Sequence, residues 1–244
     1  MTRSRILDAA ARAIAVHGYH GMSMRELARA AGMSLSNLYN YFASKEEILH
    51  ALQKEAFEVL VGSAEAALAE LDAAAGGPDA RLYVFISHHV RYVAERPEVM
   101  RVLVHEAASL PPARRRSVRR LKERYFRIAR GIVAEIVAGG CGRAVSLAAA
   151  GADGVRDATE LDRITYNLFG MLNWIYGWYD PAQHGSPTEL ARSIHRTALC
   201  GIVGQCPYQQ DGGLQESLDE LLAGLGSRPL LGARTTGAEG GRPS

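Results

Sequence analysis

The sequence is poor in cysteine and has no long apolar run. Its three cysteines, Cys141, Cys200 and Cys206, match neither a disulfide framework nor a C-x-x-C metal site. This usage is typical of a reducing compartment. No stretch approaches the ~18 consecutive apolar residues of a transmembrane helix, and the N-terminus lacks the apolar core of a signal peptide. We therefore expect a soluble cytoplasmic protein without a metal site.

Motifs that carry catalysis are also missing. The sequence contains no G-x-S-x-G, no P-loop and no G-x-G-x-x-G after a strand. It shows no sustained period-two alternation of Val, Ile, Thr and aromatic residues, which is the pattern of a half-buried strand. We therefore expect an all-α fold, with no enzymatic activity, no catalytic residue and no cofactor. Catalysis by isolated His, Asp or Cys side chains stays open as an alternative.

Net charge is low over the whole chain but not at its N-terminal end. The formal net charge is only +2. Residues 1–45 alone carry six basic and two acidic side chains, a local excess of +4. This excess favours contact with a polyanion, although a solvated basic terminus would have the same composition.

Helical periodicity and capping residues cover most of the chain. In a capping box, a small oxygen side chain and a Glu three residues later satisfy free backbone N–H groups. Such boxes begin at Ser23, Ser44 and Ser186, and a looser one begins at Asp157. Gly18 is expected to end the first helix. The other predicted segments are helices at 44–71, 80–95, 98–109, 112–138, 158–179 and 187–204, a Gly/Ala-rich loop at 139–154, and a flexible tail at 207–244 with a short helix at 214–223.

The stretch from 24 to 42 predicts a helix-turn-helix. Gly32 can adopt the positive φ that a tight turn between two helices requires. Ala28 is small where the second helix must approach closely, and Ser34 can cap that helix. In this motif the second helix enters the major groove with its N-terminal residues facing the base edges. A three-helix packing module that binds no DNA remains the alternative.

The polar residues of this region suit contact with DNA. Asn37 carries an amide that can pair with adenine edges, and the tyrosine hydroxyls can donate to phosphate oxygens. The ammonium of Lys45 sits at the start of the next helix, where it can bind an anion together with free N–H groups. Ser23 can bond a phosphate or only cap its helix. The predicted DNA-binding residues are Arg3 and Arg5 on an N-terminal arm, Ser23, Ser34, Ser36, Asn37, Tyr39, Tyr41 and Lys45.

The segment from Gly32 to Leu49 resembles the signature of the tetracycline-repressor (TetR) family, in particular the run LYNYFASKEEIL at 38–49. The resemblance covers about residues 4–50. It implies an all-helical homodimer whose DNA-binding domains are moved by a long fourth helix. It also implies that Tyr39, Tyr41 and Lys45 touch phosphates, while positions 34, 36 and 37 face bases. Ser36 departs from the Gly or Pro of many members, which affects only the base preference.

The C-terminal helices are predicted to form a dimer interface. Apolar stripes run along 158–179 and 187–204, and two such helices from each subunit would make a four-helix bundle. Ordinary core packing within one chain is the alternative. The stripes comprise Leu161, Ile164, Leu168, Met171, Ile175 and Trp178 on the first helix, and Leu190, Ile194, Ala198, Gly201 and Ile202 on the second.

The segment 169–181 is dense in aromatic residues although the chain is only 7% aromatic, and such clusters line ligand pockets. Together with 186–190 it resembles a TetR subgroup that controls fatty-acid and sterol catabolism and responds to acyl-CoA. For Trp174 and Trp178, core packing is the alternative. The basic run 114–120 either attracts the phosphates of a nucleotide-bearing effector or is a solvated face. The predicted effector-binding residues are His105, Tyr166, Phe169, Asn173, Trp174 and Trp178.

These observations predict three parts: a DNA-binding domain at 1–50, a ligand-binding and dimerisation domain at 51–206, and the tail at 207–244. The expected function is that of a dimeric repressor of lipid or acyl-CoA catabolism genes. It would bind a palindromic operator and leave it when an acyl-CoA-like effector binds. A repressor of an efflux or other catabolic operon, induced by a different hydrophobic ligand, is the alternative. A pure interaction module without DNA affinity is a further alternative.

Overall fold

The computed structural model of the protein describes residues 2–74, 76–138 and 154–203. Within these ranges every regular element is a helix, so the predicted all-α fold is confirmed. None of the helices in these ranges is long and apolar enough to cross a membrane. The helices are α1 (Thr2–Gly21), α2 (Met24–Ala30), α3 (Leu35–Tyr39), α4 (Lys45–Ala73), α5 (Pro78–Glu95), α6 (Pro97–His105), α7 (Pro112–Ala138), α8 (Gly154–Asn173), a short 3₁₀ turn (Ile175–Gly177), α9 (Pro181–His184) and α10 (Pro187–Val203).

The first three helices pack around a small apolar core. Ile6 of α1, Leu27 of α2 and Leu38 of α3 are fully buried, and Phe42 joins them from the segment before α4. Helical geometry breaks at Gly18, which has φ 71°, although a further turn continues to Gly21. The predicted end of the first helix at Gly18 is therefore the position of a kink.

Helix α4 connects this N-terminal unit to the remaining helices. It has 29 residues, which corresponds to a rod of roughly 44 Å at the usual rise per residue. Ser44 caps it by accepting a hydrogen bond from the Glu47 N–H at 3.2 Å, as predicted. The Glu47 carboxylate reaches the N–H of Ala43 rather than that of Ser44. Along its length α4 contacts α1, α5, α6 and α7.

Helix α5 lies at the centre of the larger unit, because its neighbours α4, α7 and α10 cover it. Five consecutive side chains, from Leu82 to Ile86, are fully buried. Helix α10 begins with the predicted capping box, in which Ser186 and Glu189 exchange hydrogen bonds. Since α5 needs apolar partners on nearly all sides, α10 packs against it within one chain.

Six members of the two predicted dimer stripes are used inside the chain. Leu190, Ile194, Ala198 and Ile202 of α10 are at most 8% exposed, and Leu168 and Ile175 of the other stripe are also buried. The assignment of these six side chains to an interface between subunits is therefore wrong. The other members, Leu161, Ile164, Met171, Trp178 and Gly201, remain partly or fully exposed. Periodicity shows that a helix face is apolar but does not show which partner covers it.

Several helix boundaries also differ from prediction, and the helix predicted at 98–109 ends at His105. Helix α8 begins at Gly154, so Asp157 lies inside the helix and not at its N-terminus. The predicted helix 158–179 ends at Asn173 and is followed by the 3₁₀ turn at Ile175–Gly177. A spacing of three residues between apolar side chains suits both kinds of helix, so the pattern could not separate them. The predicted loop at 139–154 lies almost entirely outside the described residues, as do the tail at 207–244 and the short helix at 214–223.

Candidate DNA-binding surface and effector cavity

The turn between α2 and α3 has the geometry of a helix-turn-helix. Gly32 has φ 67°, and its N–H donates to the Arg29 carbonyl at 3.0 Å. The N–H of Met33 donates to the Ala28 carbonyl, also at 3.0 Å. These two bonds form a Schellman motif, which ends a helix and reverses the chain tightly. The predicted role of Gly32 is confirmed by this geometry.

Helix α3 presents an exposed polar face. Ser34 caps the helix by accepting a hydrogen bond from the Asn37 N–H at 3.1 Å. Ser36 and Asn37 are exposed, and Tyr39 and Tyr41 are 49% and 41% exposed. In the part of the chain that the structure describes, the side chains of these four residues form no hydrogen bond within the protein. They are available to a partner such as DNA.

Lys45 faces a different partner from the predicted anion. Its Nζ donates to the backbone carbonyls of Tyr19, His20 and Met22 at 3.2–3.3 Å. The ammonium also lies 4.9 Å from the centre of the Tyr19 ring. Carbonyls at the C-terminal end of a helix carry partial negative charge, which explains why α1 attracts this cation. In this structure Lys45 joins the start of α4 to the end of α1.

Arg3 and Arg5 lie on α1, so the expectation of an N-terminal arm carrying them is wrong. Arg3 pairs with Glu55 of α4 at 3.2 Å. Arg5 donates to the Ala31 carbonyl at the end of α2, also at 3.2 Å. Because α1 begins at Thr2, both arginines belong to this helix. Their contacts join α1 to α4 and to the end of α2.

Ser23 forms the predicted capping box at the start of α2. Its Oγ accepts a hydrogen bond from the Glu26 N–H at 3.2 Å, and its own N–H donates to the Glu26 carboxylate at 3.0 Å. Of the two roles considered for Ser23, the structure shows the cap.

A cavity of about 220 Å³ lies among α4, α5, α6, α7 and α8. Its walls are mostly apolar and aromatic. Leu60, Met100 and Leu103 are buried, whereas Lys122 and Tyr166 are exposed, so the cavity opens between α7 and α8. The lining residues are Phe57, Leu60, His89, Met100, Leu103, Val104, Lys122, Tyr125, Phe126, Tyr166, Phe169 and Asn173.

Two buried polar residues contribute to the cavity wall. His89 Nδ1 and the Tyr125 hydroxyl lie 3.1 Å apart and share a hydrogen bond. Burial lowers the pKa of His89 to about 4, a change that the backbone carbonyl of Leu172 opposes. Burial also raises the pKa of Tyr125. Both groups are therefore neutral near pH 7 and can act only through hydrogen bonds.

The cavity brings together three of the six predicted effector residues: Tyr166, Phe169 and Asn173. The other three lie outside its lining. The His105 ring bonds the Tyr176 hydroxyl at 2.7 Å, while Trp174 and Trp178 are 59% and 43% exposed. The prediction failed to identify His89, Lys122 and Tyr125 as lining residues. In the sequence Tyr125 lies on an apolar stripe with Leu121 and Ile128, and His89 follows His88, and neither pattern by itself indicates a cavity.

Helix α6 connects the cavity to the DNA-binding unit. Its residues Met100, Leu103 and Val104 line the cavity. Directly after it, Glu106 Oε1 accepts a hydrogen bond from the Tyr19 N–H at 3.0 Å, beside the kink of α1. The Glu106 carbonyl accepts a second bond, at 2.9 Å, from Nε2 of the buried Gln53 on α4.

Among the described residues, no group of three or more His, Cys, Asp or Glu side chains is arranged to hold a metal ion.

Two family models match the chain. The model of bacterial regulatory proteins of the tetR family matches residues 6–52. The model of a tetracyclin repressor-like C-terminal domain matches residues 75–150 and 144–202, which together span more than half of the chain.

Individual proteins agree with these matches. The chain is 29% identical to the fatty acid metabolism regulator protein of Bacillus subtilis over 136 residues, covering 56% of this chain and 68% of that protein. It superimposes on the TetR family transcriptional regulator PfmR of Thermus thermophilus with a TM-score of 0.66 and 31% identity, covering 80% of this chain and 97% of that one. It shares the fold of AibR, solved with isovaleryl coenzyme A and operator DNA, with a TM-score of 0.66, 21% identity, and coverage of 84% and 100%.

Proposed function

Since the chain belongs to the tetR family of bacterial regulatory proteins, we propose that this transcriptional regulator is a repressor that an acyl-CoA-like effector releases from its operator. We propose no catalytic activity for it and place its action in the cytoplasm, where bacterial DNA lies. The observation that carries this proposal is the direct link from the lining of a mostly apolar cavity, through α6, to the helix that supports the recognition helix.

The proposed DNA contacts follow from the exposed face of α3. Ser36 and Asn37, near its N-terminus, would read base edges, as would Ser34 beside them. Tyr39 and Tyr41 would donate their hydroxyls to phosphates, which fixes register without selecting sequence. Lys45 would reach a phosphate only by leaving the carbonyls that hold it.

A symmetric dimer would present two copies of α3 to a palindromic operator. We propose that helices α8 and α10 supply its interface, as the predicted ranges 158–179 and 187–204 imply, but through faces that the chain leaves exposed. One exposed face of α8 carries Tyr166 and Gly170, which are four residues apart. Trp174 continues this spacing directly after the end of the helix and is also exposed. Large exposed aromatic side chains are enriched at protein interfaces, which supports this choice of face.

The cavity and its surroundings suit the two chemically different ends of an acyl-CoA. The apolar walls would hold the acyl group. Lys122 stands at the opening on α7, and residues 112–130 of that helix carry nine basic and one acidic side chains. Arg114, Arg124 and Arg130 are paired with carboxylates of other helices, so the remaining cations would attract the phosphates of coenzyme A.

Release would follow from a change in the distance between the two recognition helices. They must lie roughly 34–36 Å apart to enter successive major grooves. An effector that fills the cavity would displace α6 and tilt α4, and thereby α1 and α3. The effector and the operator would then favour different states of one equilibrium.

A gel-shift experiment on the DNA upstream of the protein's own gene tests this function. We expect retardation at low salt and its loss on addition of an acyl-CoA. Retardation that no acyl-CoA reverses would leave the repressor and favour the alternative of a different hydrophobic inducer, as for an efflux operon. An absence of retardation on every duplex, even at low ionic strength, would refute the proposal as a whole.

A further inference from the structure

The volume of the cavity limits the size of the group that it can enclose. An apolar cavity of about 150 Å³ holds one benzene ring, which has six carbon atoms. By that measure 220 Å³ encloses a group of roughly nine non-hydrogen atoms. A saturated chain of eighteen carbons would need roughly 450 Å³ on the same measure.

The inner wall of the cavity leaves little room for a longer chain. Leu60, Met100 and Leu103 are all less than 8% exposed and belong to the packed core. Close-packed interiors resist expansion, because added atoms force side chains from their preferred rotamers. The opening lies on the other side, between the exposed residues Lys122 and Tyr166.

His89 contributes a polar atom that the protein leaves without a hydrogen bond. The side chain lines the cavity and is only 1% exposed, and its Nε2 forms no hydrogen bond of good geometry, although the backbone carbonyl of Leu172 lies close enough to raise the pKa of the ring. The Tyr125 hydroxyl occupies the other ring nitrogen, Nδ1. If the hydroxyl donates to Nδ1, the ring hydrogen lies on Nε2 and can be donated to an oxygen. A ligand oxygen at this position would remove the cost of a buried unpaired donor.

The position of His89 relative to the opening suits a thioester. His89 and its partner Tyr125 are buried, whereas Lys122, three residues before Tyr125 on α7, is exposed. A carbonyl that accepts a hydrogen bond from His89 would thus lie inside the exposed rim of the cavity. The acyl tail would then extend toward Leu60 and Met100, on the apolar side of the cavity.

We propose that the cavity selects a short-chain or aryl acyl thioester whose carbonyl oxygen accepts a hydrogen bond from His89 Nε2. This proposal rests on the acyl-CoA effector class of the proposed function. The selected acyl group has no more than about nine non-hydrogen atoms.

Calorimetric titration of the full-length protein, without DNA, tests the size limit. The ligands are butyryl-, benzoyl-, octanoyl- and palmitoyl-CoA, with unacylated coenzyme A as the reference. We expect one of the three shorter thioesters to bind at least tenfold more tightly than palmitoyl-CoA. Tightest binding of palmitoyl-CoA would overturn the size limit and leave the proposed function intact. Binding of no thioester, in a protein that still retards DNA, would overturn this inference and the acyl-CoA part of the proposed function together.

The hydrogen bond is tested from both sides. S-butyl-CoA lacks the carbonyl oxygen of butyryl-CoA but has nearly its shape. Comparing the two ligands therefore tests the contact without mutating the protein. We expect the wild-type protein to bind it at least tenfold more weakly than butyryl-CoA. This difference should vanish in His89→Leu and return in part in His89→Gln, whose amide can donate. Equal binding of the two ligands by the wild-type protein would refute a contact with the carbonyl, whether or not the variants fold.

Discussion

Glu106 and Tyr19 are joined by a hydrogen bond of 3.0 Å between a carboxylate oxygen after α6 and a backbone N–H beside the kink of α1. The two residues are 87 positions apart in the sequence. The bond gives the cavity-lining helix a direct contact with the DNA-binding unit. A shift of α6 therefore has to move α1 or break this contact.

Removing the acceptor should uncouple the two units. We expect Glu106→Ala to reduce the ratio of operator affinity without and with effector by several-fold, because the Tyr19 N–H loses its partner on α6. Glu106→Gln keeps an acceptor oxygen at the same place and is the matched control. Fluorescence anisotropy with labelled operator, at several effector concentrations, measures the ratio. An unchanged ratio in Glu106→Ala would show that coupling takes another route.

Tyr39 and Asn37 should have separable effects on DNA binding. Tyr39→Phe removes one hydroxyl from the exposed end of α3 and should weaken binding to all operator sequences alike. Asn37→Ala should change which bases are preferred, because an amide reads base edges. Binding to a library of operator variants checks both expectations. A sequence-selective effect of Tyr39→Phe would contradict this division of roles.

Lys45 should contribute to stability as well as to any contact with DNA. Lys45→Ala removes three hydrogen bonds from a charged donor to the end of α1. We expect the free energy of unfolding to fall by about 1–2 kcal/mol. Hydrogen bonds from a charged donor are stronger than average, but the Lys45 ammonium is partly solvated, which reduces their contribution. Lys54→Ala is the control, because its pair with Glu58 is solvent-exposed and should contribute less than about 0.5 kcal/mol. Equal losses in chemical denaturation would argue against a bracing role for Lys45.

Two glycines should respond oppositely to alanine. Gly32→Ala forces a side chain into a positive-φ conformation and places Cβ 3.3 Å from Arg5, so we expect a loss of about 1 kcal/mol. Gly62 lies within α4 and a Cβ there meets no atom within 4 Å. Gly62→Ala should therefore raise the free energy of unfolding by about 0.5–1 kcal/mol. Thermal or urea unfolding of the two variants compares the signs directly, and a stabilising Gly32→Ala would mean that this turn tolerates a side chain.

Stability should fall as the pH drops from 6.5 toward 4. The pKa values of His88 and His89 are lowered from 6.5 to about 4, in each case mainly by burial. In this window the unfolded chain binds protons that the folded chain does not, so the free energy of unfolding decreases as pH falls. The slope should be on the order of 1 kcal/mol per pH unit for each buried histidine.

His89→Gln tests this pH dependence through the slope rather than through the stability itself. We expect a shallower decline in urea midpoint between pH 6.5 and 4 than in the wild-type protein. His17→Gln, which changes an exposed histidine on α1, is the control for the loss of one histidine side chain. A wild-type stability that stays flat across this window would show that neither histidine is desolvated in solution.

Local sequence signals predicted the DNA-binding unit well. Ser23, Ser34 and Ser44 form their caps with residues three positions away, and the turn at Gly32 is closed by carbonyls of the preceding helix α2. Such interactions involve neighbours in the sequence, so residue types and their spacing are sufficient to identify them. The family resemblance of residues 38–49 rests on the same local motif.

The cavity was predicted less well, because its walls come from five helices spread over more than a hundred residues. Residue type alone does not reveal exposure. The sequence therefore could not show that Trp174 and Trp178 are exposed or that His89 is buried. Lys45 likewise was expected to bind an anion, and only the position of α1 reveals that carbonyls surround it.

The amino-acid sequence by itself thus determined most of the helices, the caps at Ser23, Ser34, Ser44 and Ser186, and the recognition motif, since each depends on contacts within one or two helical turns. The tertiary structure decided which apolar faces are used within the chain, which residues surround the cavity and how Glu106 reaches Tyr19. Those outcomes depend on how whole helices pack against one another, and that packing is set by all of their faces at once.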